Sequence, residues 1–212
     1  MVKQRVLAVL FFSALWGASE AGLGGLMYAA GLPHASIVLT VVAFAILTVA
    51  RRYLPQRGFA TVIGLCAMLF KFLNSPFFAC HFAGIAITGL AFDVAFAFLG
   101  ADHKIWSGAV AAFAAALGSY VAFAVFMTFI VRYHYWAGNM DKLYGHVIEG
   151  AVAGAGCAIA VPLADLAAKR IRARFEEPFA LRLDPVGVPV GLATAGLWAL
   201  SLAVFSRTMF AG

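Results

Sequence analysis

Residues 105–131, IWSGAVAAFAAALGSYVAFAVFMTFIV, contain no Asp, Glu, Lys, Arg or His. A helix that crosses a bilayer needs about 20 predominantly apolar residues, with roughly 17–25 tolerated. This run exceeds that length and has no charged face to turn toward water. Similar runs lie on both sides of it, at about residues 6–30, 35–51, 58–73, 79–100, 143–168 and 186–210. Between them stand Pro33, the Arg51-Arg52…Pro55-Gln56-Arg57 stretch, Asn74-Ser75-Pro76, Gly100-Ala101-Asp102, the polar segment Arg132–Lys142 and the charged segment Lys169–Asp184. Such Pro, Gly and polar clusters break helices. The reading is an all-α polytopic integral membrane protein with six spans and a seventh at the C-terminal end.

Composition agrees. Hydrophobic residues make up 64% of the 212 and charged residues 11%, against roughly 45–50% and about 25% in soluble domains. The mean hydropathy is +0.96. A water-soluble fold, a secreted disulfide scaffold and a disordered chain are excluded. The net charge of +6 lies between the apolar runs, where it signals topology rather than a nucleic-acid surface. With the N-terminus cytoplasmic, Lys3, Arg5, Arg51, Arg52, Arg57, Lys104, Lys169, Arg170, Arg172, Arg174 and Arg182 fall inside. Only Lys71, Arg132, Lys142 and Arg207 fall outside. That bias obeys the positive-inside rule. It places the N-terminus in the cytoplasm and, with seven spans, the C-terminus outside.

No catalytic or nucleotide-binding motif is present: no GxSxG, HExxH or Walker loop. Cys66, Cys80 and Cys157 lack metal or redox spacing and read as small apolar residues. No catalytic residue, metal or cofactor is expected. Ionisable groups inside hydrocarbon are expensive, at about 2.5–3.5 kcal/mol each on insertion scales, and tend to mark function. Here they are Glu20, Lys71, His81, Asp93, His146 and Glu149. Counted along alternating spans, all but Asp93 fall toward the outer side, Glu20 deepest. His146 and Glu149, three apart, share a helix face. We therefore expect Glu20, Lys71, His81, His146 and Glu149 to converge on an outward-facing cavity. Asp93 is expected to cap or pair structurally, and Asp165 to pair with Lys169 four residues on. Asn74, Trp136, Asn139 and Tyr144 in or near the outer segments offer amides and rings to orient or stack on a planar solute. Trp16 and Trp198 read as packing or lipid-facing residues.

Small residues recur every fourth position: Ala14, Ala18 and Gly22 in the first run, Gly108, Ala112 and Ala116 in the fifth, Gly150, Gly154 and Ala158 in the sixth. Such stripes allow close helix approach, because lipid supplies no hydrophobic drive to association.

The short-looped helical pattern, the Ala14-xxx-Ala18 spacing and the stretch KFLNSPFFACHFAGIAITGLAFDVAFAFLG (71–100) together resemble the substrate-binding S component of energy-coupling factor (ECF) vitamin transporters. The resemblance covers about residues 5–175. It implies a six-helix bundle (1–175) that captures a vitamin-like solute near the outer surface of a bacterial-type inner membrane. It also implies that Ala14, Ala18 and Gly22 dock a transmembrane T component coupled to two ATPases. Residues 176–212, the charged connection and extra helix, lie outside that pattern. The chain begins Met1-Val2, unlike the Met-His start of the metal-transporting branch. The expected function is solute binding and uptake without a chemical step, with Glu20, Lys71, Asn74, His81, Trp136, Asn139, Tyr144, His146 and Glu149 forming the site. The expected partners are the solute, the bilayer and the ECF subunits. The alternatives are a stand-alone carrier of protons or metal cations using Glu20 and Glu149, and a haem-bearing anchor using His81 and His146.

Overall fold

A computed structural model describes residues 2–73, 80–100, 105–132, 136, 138–174 and 187–210. Among them every regular element is helical: α1 (Val2–Ala29), α2 (Ala35–Arg51), α3 (Phe59–Ala67) continuing as 3₁₀ turns over Met68–Leu73, α4 (Cys80–Phe98), α5 (Ile105–Val125) with a π turn over Phe126–Ile130, α6 (Met140–Arg174) and α7 (Gly187–Phe210). Four stretches are long and apolar enough to cross a membrane: Lys3–Ala29, Cys80–Phe98, Trp106–Ile130 and Met140–Arg172. Ala35–Arg51, Phe59–Leu73 and Gly191–Ala203 are shorter apolar helices. The chain has the make-up of a multi-pass, all-α membrane protein.

Local chemistry accounts for the breaks. α1 ends in a Schellman motif, with Leu32 N–H donating to the Met27 carbonyl and Gly31 N–H to that of Tyr28, both at 3.0 Å. Gly31 takes the left-handed φ of 65° that this cap requires. Pro33 and His34 then reverse the chain. At the start of α6 the Asn139 side-chain oxygen accepts from Lys142 N–H at 3.2 Å, an N-cap that satisfies one orphan donor.

Contacts at the two ends of the bundle fix helix directions. His34, just before α2, touches Glu149 of α6, while Arg52, just after α2, touches Asp165 of the same helix. So α2 and α6 run parallel. Glu20 and Lys71 lie late in α1 and in the 3₁₀ continuation of α3 and meet, so these two also run together. His81, at the start of α4, stacks on Tyr28, at the end of α1, with centroids 5.8 Å apart; α4 runs opposite to α1. Side chains from the first turn of α5 share a cleft with Arg51 and Arg172, and Tyr120 further along α5 reaches Thr40 and His146. Successive helices from α1 to α6 thus alternate in direction.

The core draws on all of the first six helices, from Phe12 and Trp16 of α1 to Ala112 and Ala116 of α5 and Cys157 of α6. Phe92 of α4 packs edge-on against Phe44 and Phe59 and stacks on Phe96, at 5.4, 6.2 and 4.2 Å. The small-residue stripe of α6 seats that helix tightly on α5. A Cβ at Gly150 would lie 2.6 Å from Tyr120 Cβ, and one at Gly154 would lie 2.9 Å from Phe113. Outward faces keep large apolar side chains such as Leu26, Phe98, Trp106, Ile148, Ile159 and Leu163 exposed, as lipid solvation permits and water would not. Asp93 of α4 caps α3: its carboxylate accepts from Thr61 N–H and Thr61 Oγ1, both at 2.7 Å, and from Ala60 N–H at 3.3 Å. This is the structural role expected for it, and the negative charge sits at the positive end of the α3 dipole.

α7 packs on the bundle. Trp198 donates to the Leu10 carbonyl at 3.0 Å and meets Phe70 edge-on at 5.0 Å. Trp198 is therefore a packing residue, as is fully buried Trp16. Leu10, Ala14 and Ala18 are four apart, so α7 seats one turn from Ala14 on the same face of α1. Ala14 is buried, whereas Gly22 is exposed, and a Cβ added to it would meet nothing within 4 Å. The three small residues do not form one uniform open strip.

Candidate functional site

The expected ionisable residues assemble as two neighbouring groups rather than one ring. The first is a closed ion pair. Lys71 Nζ lies 2.8 Å from Glu20 Oε2 and also donates to the Glu20 backbone carbonyl at 3.2 Å. The Trp16 indole N–H donates to Glu20 Oε1 at 3.4 Å. Lys71 is 3% exposed and Glu20 8%. Lys71 is enclosed by protein. The 3₁₀ turns that end α3 swing it across onto α1, and the pairing offsets the cost of burying either charge.

The second group is a carboxylate between two imidazoles. Glu149 Oε1 lies 2.8 Å from His34 Nδ1, and Glu149 Oε2 lies 3.1 Å from His146 Nδ1. A carboxylate only accepts, so each ring presents Nδ1–H to it and keeps Nε2 for another partner. Aromatic rings wall in His146: Tyr120 at 4.6 Å, Trp136 at 5.1 Å and Phe123 at 5.5 Å between centroids. The Tyr120 hydroxyl lies 3.3 Å from Thr40 Oγ1, which ties this wall to α2. His34 holds a left-handed φ of 58°, uncommon for a residue with a side chain, and its side chain is 61% exposed. Tyr28, stacked on His81, lies within electrostatic reach of both Glu20 and Glu149.

Of the expected site residues, the structure brings together Glu20 with Lys71, and His146 with Glu149 and Trp136. His81 joins through Tyr28. Asn139 is used as the α6 cap, and Tyr144 is 59% exposed. Asn74 lies outside the described residues. Sequence reasoning missed His34, Tyr28, Tyr120 and Phe123. His34 carried a readable signal: a histidine directly after the proline that separates two apolar runs, at the same end as His146. Among the described residues, no group of three His, Cys, Asp or Glu side chains is placed to hold a metal ion.

Comparison with known proteins adds no assignment. No family profile matches the chain, and neither curated proteins nor solved structures give a match.

At the opposite end, Asp165 pairs with Lys169 at 3.2 Å, as its spacing predicts, and additionally with Arg52, whose Nε donates at 2.7 Å. A cleft of about 260 Å³ opens there. The expected hollow was at the other end, beside the histidines.

Proposed function

We propose that this chain is a membrane-embedded solute-binding and uptake subunit, similar in plan to an ECF S component. It takes a small polar or aromatic solute from the extracytoplasmic side and carries out no chemical step of its own. In this reading α1 to α6 are six spans and α7 a seventh. The N-terminus lies in the cytoplasm, and the T component and ATPases are partners. The alternating helix directions and the basic residues at one end support that topology. The observation that carries the functional reading is Glu149 held between His34 and His146, with aromatic rings around His146. Such a set offers planar stacking and two imidazole Nε2 atoms to a solute with rings and hydrogen-bonding groups. Glu20 and Lys71 form the charged floor beneath it.

The test is mild-detergent isolation of the full chain and mass spectrometry of copurifying small molecules, followed by equilibrium binding of the compound found. Glu149→Gln and His146→Ala should each weaken that binding at least about tenfold, one charge-assisted hydrogen bond being worth about 1.5–3 kcal/mol. Wild-type binding by variants that melt like the parent overturns the assignment. A second reading draws on the same carboxylate, since three titratable groups in line suit proton passage. Uptake by proteoliposomes holding this chain alone, driven by a pH gradient, would select a stand-alone carrier.

A further inference from the structure

The cleft at the arginine-rich end lies between the ends of α2 and α4, the start of α5 and the turn of α6 around Pro162. One part of its lining is apolar, from Phe96, Val161 and Pro162; the other carries Arg51, Arg52, Arg172 and Asp165. Asp165 is shared by Arg52 and Lys169. Among the described residues, no carboxylate lies within 4.0 Å of Arg51 or Arg172. Both are positioned by neutral groups. The Arg51 guanidinium sits 4.8 Å from the centroid of the Phe96 ring and donates to the Gly100 carbonyl at 3.4 Å. Arg172 donates to the Arg52 carbonyl at 2.6 Å. Two fixed guanidinium groups therefore border a small hollow with no counter-ion of their own among the described residues.

Size and surroundings narrow what fills it. About 260 Å³ is below the roughly 300–1,000 Å³ of sites for drug-sized ligands, so a compact anion suits it better than a vitamin. Guanidinium forks match phosphate oxygens. Beside the cleft the exposed faces of α5 and α6 are apolar, through Trp106, Ile159 and Leu163, which gives an acyl chain a path away from the headgroup. Basic hollows between membrane helices take acidic lipid headgroups on the same physical grounds. We propose that this cleft binds the headgroup phosphate of an anionic phospholipid, with Arg51 and Arg172 as the donors. The proposal stands apart from the solute reading and needs only that the helices sit in a bilayer.

The experiment uses the delipidated full chain in a nonionic detergent. Its melting midpoint is followed against phosphatidylglycerol, phosphatidylcholine or inorganic phosphate. Phosphatidylglycerol should raise the midpoint saturably, phosphatidylcholine should not, and inorganic phosphate should act only at far higher concentration. Arg51→Gln with Arg172→Gln should weaken the apparent phosphatidylglycerol affinity by about tenfold or more. If that double variant melts well below the parent without lipid, Gly108→Leu decides instead. Gly108 borders the cleft, and a Cβ there meets nothing within 4 Å, so a leucine is accommodated without a clash, adds bulk at the border of the hollow and keeps every charge. An undiminished phosphatidylglycerol response in the deciding variant overturns the site. An equal response to phosphatidylcholine also overturns it, and an equal response to inorganic phosphate overturns the lipid assignment in favour of a soluble anion.

Discussion

Replacing Lys71 by Met strands the Glu20 carboxylate where, among the described residues, the Trp16 indole alone still donates to it, at 3.4 Å. Breaking a buried ion pair by removing one partner costs about 3–5 kcal/mol, whereas replacing both partners by apolar groups is often neutral. At roughly 2–4 °C per kcal/mol for a chain of this size, Lys71→Met should lower the melting midpoint by about 6–20 °C. Glu20→Leu should fall in the same range. Glu20→Gln should cost distinctly less, because Lys71 keeps the Glu20 backbone carbonyl at 3.2 Å and gains an amide oxygen. The double variant Glu20→Leu, Lys71→Met should return to within about 1 kcal/mol of the parent. Detergent melting monitored by size-exclusion chromatography reads all four. If the two single effects simply add in the double variant, the ion pair is not the source of the cost and the reasoning fails.

Three further expectations concern helix packing and capping. Gly150→Val pushes a side chain into Tyr120, where a Cβ alone would stand 2.6 Å away; overpacking of this kind costs about 1–3 kcal/mol, and melting should fall while Gly22→Ala, in open space, stays near the parent. Asp93→Ala removes three accepted hydrogen bonds from the start of α3. It should lower stability by about 0.5–2 kcal/mol, the range for a lost cap, which denaturant titration can read; no change would deny the cap any energetic role. Trp198→Phe deletes the bond to the Leu10 carbonyl but keeps an aromatic ring against Phe70. A protease-accessibility assay should then find the 187–210 helix cut faster than in the parent, and equal rates would show that the indole N–H does not hold α7.

The helices were legible because hydrocarbon demands long apolar runs, and residues 105–131 or 79–100 admit no other reading. The Asp165–Lys169 pair followed from four-residue spacing, and the shared face of His146 and Glu149 from three-residue spacing. What the sequence could not supply was lateral adjacency. Nothing in the spacing of Arg52 and Asp165, or of His34 and Glu149, says that α2 lies beside α6. Nor does periodicity reveal that α3 passes into 3₁₀ turns, from which Lys71 reaches Glu20 of α1. Depth alone put five ionisable residues in one shared hollow. In the structure Glu20 pairs with Lys71, Glu149 meets His34 and His146, and His81 stacks on Tyr28. Asn139 shows the same limit: an amide at a turn reads equally as a ligand or a cap, and the Lys142 N–H decides for the cap.

The parallel pair of α2 and α6 has a mechanical consequence. It is fastened at both extremities, by the His34–Glu149 hydrogen bond at one and the Arg52–Asp165 ion pair at the other. Axial slippage between the two would rupture both fastenings at once, so they behave as a single strut.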